Sequence, residues 1–305
     1  MINVIDKLPH PFFSVVIPTL NEEKYLPTLL SDLKNQTYKD FEVIIVDAKS
    51  VDKTVKKAEY FKDKFLNLTI LTSDKKNVSY QRNVGVKNSR SDQIIFLDAD
   101  VRIPRYFMQG IKFNTEMLKP DILSCWTTPD SRSKSERAAT TFINIYEDIQ
   151  KKTNNPYILE SMILITKKAF GSLRGFDENI HNGEGSDLLK RALLKRMKYC
   201  FIREPKYQIS FRRIRKQGYL NLMRGVVELE LKRLINKSIP YEKAERLYPM
   251  QGGGYFEIGE KESRRIGNLV KKLMTKTTNY KNNTVIKNNI VQKLKKLLNE
   301  HKFNL

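Results

Sequence analysis

Asp98 and Asp100 flank Ala99 directly after the apolar run Ile94-Ile95-Phe96-Leu97. A short run of this kind reads as a buried strand of a parallel sheet. Open α/β sheets bind ligands beyond the carboxyl ends of such strands. Two carboxylates there supply hard oxygen ligands suited to Mg2+ or Mn2+, and a cation so held can neutralise a diphosphate. The plainer alternative is a strand ending in a polar turn. Asp47 and Asp52 follow a second apolar run, Phe41 to Val46. Carboxylates at that point can accept hydrogen bonds from a base N–H or a ribose hydroxyl, and Asp52 is also placed to cap the helix after it.

The elements that would position these groups alternate. Ser14-Val15-Val16-Ile17 reads as a strand ended by Pro18, followed by a helix with Leu26, Leu29, Leu30 and Leu33 on one face. Asn21 is its expected cap, with acidic residues in the first turn. The strand 41–46 leads to a helix carrying Val55, Ala58 and Phe61; Leu68 to Leu71 is a third strand, 79–89 a helix and 93–97 the fourth strand. This alternation predicts right-handed βαβ units and a mostly parallel, Rossmann-like α/β sheet flanked by helices. Past Asp100 the expected elements are a strand over 122–127, a mobile loop over 129–136 and a helix over 138–149. A strand over 162–165, helices from 167 and from 186, and two strands, 199–203 and 207–211, follow. Beyond these come an amphipathic helix over 220–235, a joint at Gly252-Gly253-Gly254 and two helical patterns separated by an Asn-rich linker over 279–289.

The chain has 305 residues and a net charge of +22, which suggests a partner of opposite sign: nucleic acid, anionic lipid or a phosphorylated substrate. From Ser263 onward, eleven Lys/Arg face one acid, Glu300. A basic amphipathic tail of this kind could hold the protein on an anionic membrane surface or pack on the body with its lysines outward. No reader motif for nucleic acid is present, so that partner is not favoured. Cys125 and Cys200 sit in apolar stretches and read as buried thiols rather than a disulfide; the three histidines are scattered. No signal peptide and no membrane-spanning run appear, so a cytoplasmic protein is expected, peripheral at most to the membrane's cytoplasmic face.

Several stretches, in one order, resemble glycosyltransferase family 2, whose members are nucleotide-sugar transferases of GT-A fold. They are Val15-Val16-Ile17-Pro18-Thr19-Leu20-Asn21-Glu22, Val46-Asp47-Ala48-Lys49-Ser50-Val51-Asp52-Lys53-Thr54, Arg82-Asn83-Val84-Gly85 and Leu97-Asp98-Ala99-Asp100. Gly175-Phe176-Asp177-Glu178 and Glu184-Gly185-Ser186-Asp187-Leu188 complete the set. The likeness runs from about residue 13 to about residue 215. It implies a GT-A catalytic domain over 1–218, with a nucleotide-sugar half near 13–100 and an acceptor half near 101–218, then a helical basic extension over 219–305.

The resemblance also implies roles. The donor would be a UDP- or GDP-sugar and the acceptor a glycan or lipid-linked molecule, with transfer by inversion and Mn2+ or Mg2+ as cofactor. Asp100 would be the metal ligand, with Asp98 touching sugar, ribose or metal. Pro18, Thr19, Leu20, Glu22, Asp47, Asp52, Arg82 and Ala99 would line the donor pocket, Arg82 reaching the diphosphate or standing as a solvated helix-face arginine. Asn21 and Asn83 are read as capping or loop-fixing residues at least as readily as ligand contacts.

Inverting transfer needs one general base for the acceptor hydroxyl. The family usually carries Glu-Asp-x-Asp-Leu, and here Gly185 stands at the first aspartate position. Glu184 or Asp187 would then be the base, with His181 a remote candidate, or the protein would bind nucleotide-sugar without transferring it. Asp187 also suits a helix N-terminus on charge alone. Arg212-Arg213-Ile214-Arg215 could meet a lipid phosphate, the donor diphosphate or only solvent. Trp126 is read as core packing, with stacking on a sugar face as the alternative.

Overall fold

The computed structural model describes residues 10–151, 153, 156–212 and 215. The strands are the apolar runs of the sequence: β1 (Phe13–Thr19), β2 (Phe41–Asp47), β3 (Leu68–Thr72), β4 (Gln93–Leu97), β5 (Ile122–Pro129), β6 (Met162–Thr166) and β7 (Tyr199–Ile209). The helices are α1 (Leu26–Lys34), α2 (Thr54–Glu59), α3 (Val78–Lys87), α4 (Phe107–Leu118), α5 (Lys134–Gln150), α6 (Lys167–Ser172) and α7 (Glu184–Leu194).

The strands form one sheet in the order β3-β2-β1-β4-β6-β5-β7. β1 runs parallel to both β2 and β4, and β2 to β3. β6 is antiparallel to β4 and β5, and β7 is parallel to β5. The chain builds outward from β1 to β3, then α3 carries it back so that β4 joins the other side of β1. That reversal leaves a crevice beyond the ends of β1 and β4, where open sheets hold ligands.

Every residue of β1 and β2 is buried, as expected for strands covered on both faces. Alternation along β1 divides the core. Val15 and Ile17 pack with the leucines of α1 and with Phe107, Met108 and Ile111 of α4. Val16 packs with Val86 of α3, Phe170 of α6, and Leu188 and Leu189 of α7.

Several local expectations need correction. Asn21 does not cap α1. The cap position is Tyr25, without a side-chain bond, and no acid lies in the first turn. Asn21 instead takes the left-handed conformation, φ 55°, which Asn tolerates better than most residues. The loop expected over 129–136 is shorter, 130–133: Pro129 ends β5, and Ser133 accepts from the Glu136 N–H to start α5 at Lys134. The two strands expected over 199–211 are one. Pro205 lies within it, since β7 is the edge strand of the described sheet, where a missing N–H is tolerated. Helix α4 was not anticipated; Phe113 and Met117 are exposed on it, which blurs the apolar stripe that marks an amphipathic helix. Cys125 is buried and Cys200 half-buried, both as free thiols. The 220–235 helix, the glycine joint, the two tail helices and the basic tail lie outside the described residues. No helix among the described residues is long and apolar enough to cross a membrane.

Gly85 fixes how closely α3 approaches β1. A Cβ there would lie 2.2 Å from Cγ1 of Val16. Overfilling a packed core costs about 1–3 kcal/mol, and here it pushes away the helix that carries Arg82. Gly85→Ala should therefore lower the unfolding free energy by an amount in that range, measured by urea denaturation.

Candidate active site

Four loops meet at the crevice. Thr19 ends β1 and donates its hydroxyl to Asp47 at the end of β2, at 2.9 Å. The same carboxylate accepts from the backbone N–H and hydroxyl of Ser50, at 2.8 and 2.6 Å. Gln81 of α3 closes this arrangement from behind, its buried amide donating to the Thr19 and Val46 carbonyls. The β1–α1 and β2–α2 loops are then laced together. Asn21 donates its N–H to the Ser50 hydroxyl and accepts from the Val51 N–H, while Asp52 accepts from the N–H groups of Glu23 and Thr54. Asp52 thus holds the start of α2 and ties it to the first loop. Pro18 is buried in β1 and Leu20 half-buried just beyond it.

Arg82 stands behind the β4 carboxylates. Its side chain is 2% exposed. One terminal nitrogen donates to Asp98 at 3.1 Å and to the Glu160 carbonyl at 3.3 Å; the other donates to Glu184 at 3.2 Å and lies 3.6 Å from the Glu160 carboxylate. The guanidinium also lies 5.3 Å from the Phe176 ring. Burial works against its charge, but Asp98, Glu184 and Glu160 together raise its pKa. Asn83, next on α3, makes a two-way clasp on Phe176, donating to its carbonyl and accepting from its N–H, both at 3.0 Å. Asn83 is a loop-fixing residue in this structure.

Gly185 is explained by Glu160. The Gly185 N–H donates to the Glu160 carboxylate at 2.7 Å. A Cβ on Gly185 would lie 2.7 Å from the Glu160 Cγ and 3.2 Å from its Cδ. The carboxyl of Glu160 therefore fills the space into which a side chain at 185 would point. Glu160 stands beside Glu184, and its side chain keeps 21% exposure where that of Glu184 keeps 2%. Burial first, and then the Glu184 carboxyl, push its pKa well above the ordinary carboxylate value.

Asp100 faces a second arginine. The Arg212 Nε lies 3.0 Å from Asp100, and its two terminal nitrogens donate to Glu22 at 2.7 and 2.6 Å. The same guanidinium stacks 4.3 Å from the Tyr25 ring. Burial opposes the charge of Arg212, but hydrogen bonds to Glu22 and the Asp100 carboxylate raise its pKa. Among the described residues, no three His, Cys, Asp or Glu side chains are grouped to hold a metal. Two hard carboxylates still suit Mg2+ or Mn2+, which commonly take remaining ligands from phosphate and water. A cation at Asp100 would compete with Arg212 for that oxygen.

The fold thus gathers Thr19, Glu22, Asp47, Asp52, Arg82, Asp98, Ala99, Asp100 and Glu184 around one crevice. Asp187 stands apart from the Arg82 cluster in its contacts. It pairs with Arg191 at 2.7 Å, and Arg191 reaches the carbonyls of Leu173 and Gly175. His181 is half-buried in the turn before α7. Trp126 is not core packing: it is half-buried, with the Arg203 guanidinium 5.1 Å from its ring. Arg215 pairs with Asp130 and Glu136, and Arg213 and Ile214 lie outside the described residues. Glu160 and Gln81 were not anticipated. The available signal for Glu160 was a single carboxylate in the apolar stretch Tyr157-Ile158-Leu159-Glu160, just before a strand.

The model of the family described as "Glycosyl transferase family 2" matches residues 14–174. A dolichyl N-acetyl-α-D-glucosaminyl phosphate 3-β-D-2,3-diacetamido-2,3-dideoxy-β-D-glucuronosyltransferase from Methanococcus voltae is 41% identical over 103 residues, covering 32% of each chain. The chain thus matches about a third of that relative's length. Among solved structures, the mannosyltransferase PcManGT of Pyrobaculum calidifontis, in complex with GDP-Man and Mn2+, superposes with a TM-score of 0.59 at 16% identity, covering 90% of this chain and 82% of that one. Staphylococcus aureus TarS 1-349, in complex with UDP-GlcNAc, gives 0.53 at 18% identity, covering 77% and 70%. At these identities the structural likeness establishes the GT-A fold.

Removing one member of a buried ion pair costs about 3–5 kcal/mol, because its partner stays buried and uncompensated; here that partner is Glu184, while Asp98 and Glu160 keep some access to water. Arg82→Met should destabilise the protein by that order at pH 8. Glu160 already has a native pKa above its unfolded value. A group of that kind stabilises the fold below its unfolded pKa and loses the contribution as pH rises through the native value. Losing Arg82 enlarges this effect, so the variant should regain stability toward pH 5, read from thermal unfolding across that range.

Proposed function

Because this chain belongs to glycosyltransferase family 2, we propose that it moves one sugar from a UDP- or GDP-linked donor to a hydroxyl or phosphate acceptor, with inversion and a divalent cation. The observation that carries this reading is the meeting of Thr19, Asp47 and Asp98-Ala99-Asp100 at three adjacent parallel strand ends. Mn2+ fits the carboxylate pair as well as Mg2+ does, and the solved mannosyltransferase holds Mn2+ with GDP-Man.

In this reading, Pro18, Thr19, Leu20, Glu22, Asp47 and Asp52 form the nucleotide pocket. Asp100, with Asp98, holds the cation, which when bound offsets charge on the diphosphate. Arg82 orients Asp98, and Ala99 leaves room between the two carboxylates. Arg212 exchanges Asp100 for the diphosphate.

The base is the Glu160–Glu184 pair, with Glu160 facing the acceptor. Glu184 is the more deeply enclosed of the two, so it serves as partner rather than first contact. A raised pKa makes the Glu160 carboxylate a stronger base once ionised. The acceptor O–H proton passes to that carboxylate, and the acceptor oxygen bonds to the anomeric carbon. The bond from that carbon to the diphosphate breaks, and its electron pair leaves with the nucleoside diphosphate. Asp187 is the alternative base; its ion pair with Arg191 weakens that assignment.

Calorimetry should find binding of UDP or GDP that depends on Mn2+ or Mg2+ and is lost in Asp100→Ala. No binding of either nucleotide under any metal condition overturns the reading. Glu160→Gln should lower turnover, followed as nucleoside diphosphate release, by about 10²–10⁴-fold, the usual contribution of a general base, with nucleotide affinity unchanged. The double variant Glu160→Ala with Gly185→Asp should restore part of that activity, since position 185 points into the vacated space. Full activity in Glu160→Gln combined with none in Asp187→Asn would move the base to Asp187.

A further inference from the structure

We propose that the cleft between β5 and α5 binds an acceptor chain carrying phosphodiester groups. The proposal rests on the transferase reading for the word acceptor, but the cleft itself stands on separate observations. It measures about 630 Å3 and opens between the second half of β5 and the first turns of α5. It adjoins the crevice. Gln208, on its wall, exchanges two backbone hydrogen bonds with Arg102, two residues past Asp100. Four residues after Gln208, Arg212 reaches Asp100.

Its charge is positive. Arg132 and Arg137 line it and are exposed. The nearby carboxylates are already committed, since Arg215 takes both Asp130 and Glu136. Lys206 adds a third cation, shared with Glu204 at 2.7 Å. Arginine forks match phosphate oxygens in pairs, and Arg132 and Arg137 flank the start of α5, whose dipole also favours an anion. Between the cations lie the hydroxyls and amides of Thr128, Ser131, Thr141 and Gln208, suited to polyol or sugar hydroxyls.

The aromatic residue argues against nucleic acid. Stacking on bases needs an open ring face. Trp126 has the Arg203 guanidinium 5.1 Å and the Lys206 ammonium 5.9 Å from its ring centroid. The ring serves as a platform for cations beside the cleft wall that Trp126 and Lys206 form. The protein's own tail beyond Ser263 is strongly basic, so it does not complement this cleft.

Trp126 is the single tryptophan of the chain, so its fluorescence reports on the cleft alone. The full-length protein is titrated with a synthetic glycerol-phosphate hexamer. A saturable change in Trp126 emission is expected. Arg132→Ala combined with Arg137→Ala should weaken it by about tenfold or more, as loss of charge-assisted bonds implies. Substituting Lys293, Lys295 and Lys296 by alanine should leave it unchanged. UDP and GDP binding, measured separately by calorimetry, should be equal in all variants. That arm separates the two claims: a response to the hexamer without nucleotide binding keeps the cleft and removes the transferase reading. The proposal is overturned if the hexamer leaves Trp126 unaffected or if the arginine variant binds as well as the parent. It is equally overturned if a neutral oligosaccharide, an oligogalacturonate or single-stranded DNA binds as tightly. A response only to vesicles of phosphatidic acid would assign the cleft to a lipid headgroup and overturn the phosphodiester chain.

Discussion

A single buried guanidinium joins four parts of this protein. Arg82 comes from α3, Asp98 from the end of β4, Glu160 from the turn before β6 and Glu184 from the first turn of α7. Each carboxylate alone would be costly to bury, and so would the arginine. Together the four offset most of that cost, although the Arg82 Nε is left without a hydrogen-bond partner among the described residues, and their geometry sets where the loop after β4 can lie. Asp98 cannot shift without breaking its bond to Arg82, and Asp100 is two residues along. The position of the proposed metal site is therefore set by an ion cluster behind it.

The cluster depends in turn on packing. Val16 in the centre of the sheet meets α3 at Gly85, one turn from Arg82, and the close approach there brings the guanidinium over the strand ends. On the other side of the crevice Arg212 gathers Glu22, Asp100 and Tyr25. The two arginines differ in what surrounds them. Arg82 is enclosed and holds a framework. Arg212 lies just past β7, where its partners are the residues proposed for donor and metal, so a ligand that displaced those partners would be coupled to that segment.

Much of this was legible in the sequence because strand ends are written plainly. Apolar runs ending in Asp47 and Asp98 give both the strand and the residue at its mouth, while β1 runs on through Pro18, the residue expected to end it, to Thr19. The ordered set of motifs then assigns the family. What was not legible depends on contacts between distant segments. Glu160 lies twenty-five residues before Gly185 in a stretch with no motif, and its meaning appears only when its carboxyl is found in the space beside that glycine. Asn21 has the composition of a cap, yet its left-handed backbone joins two loops instead. Helix α4 hid behind exposed Phe113 and Met117, and the two strands expected over 199–211 join through Pro205 because an edge position tolerates it. Trp126 looked like core because nothing local announced the cations of β7 over its ring.

The central claim is that Asp100 holds a divalent cation at the mouth of β4 alongside a nucleoside diphosphate. The most direct measurement is anomalous diffraction at the manganese edge from crystals grown with Mn2+ and UDP or GDP. The account predicts one strong peak at coordination distance from the Asp100 carboxylate and from the diphosphate oxygens, with Arg212 withdrawn from Asp100. A nucleotide bound in the crevice with no manganese at Asp100, or manganese held at other residues, would contradict it.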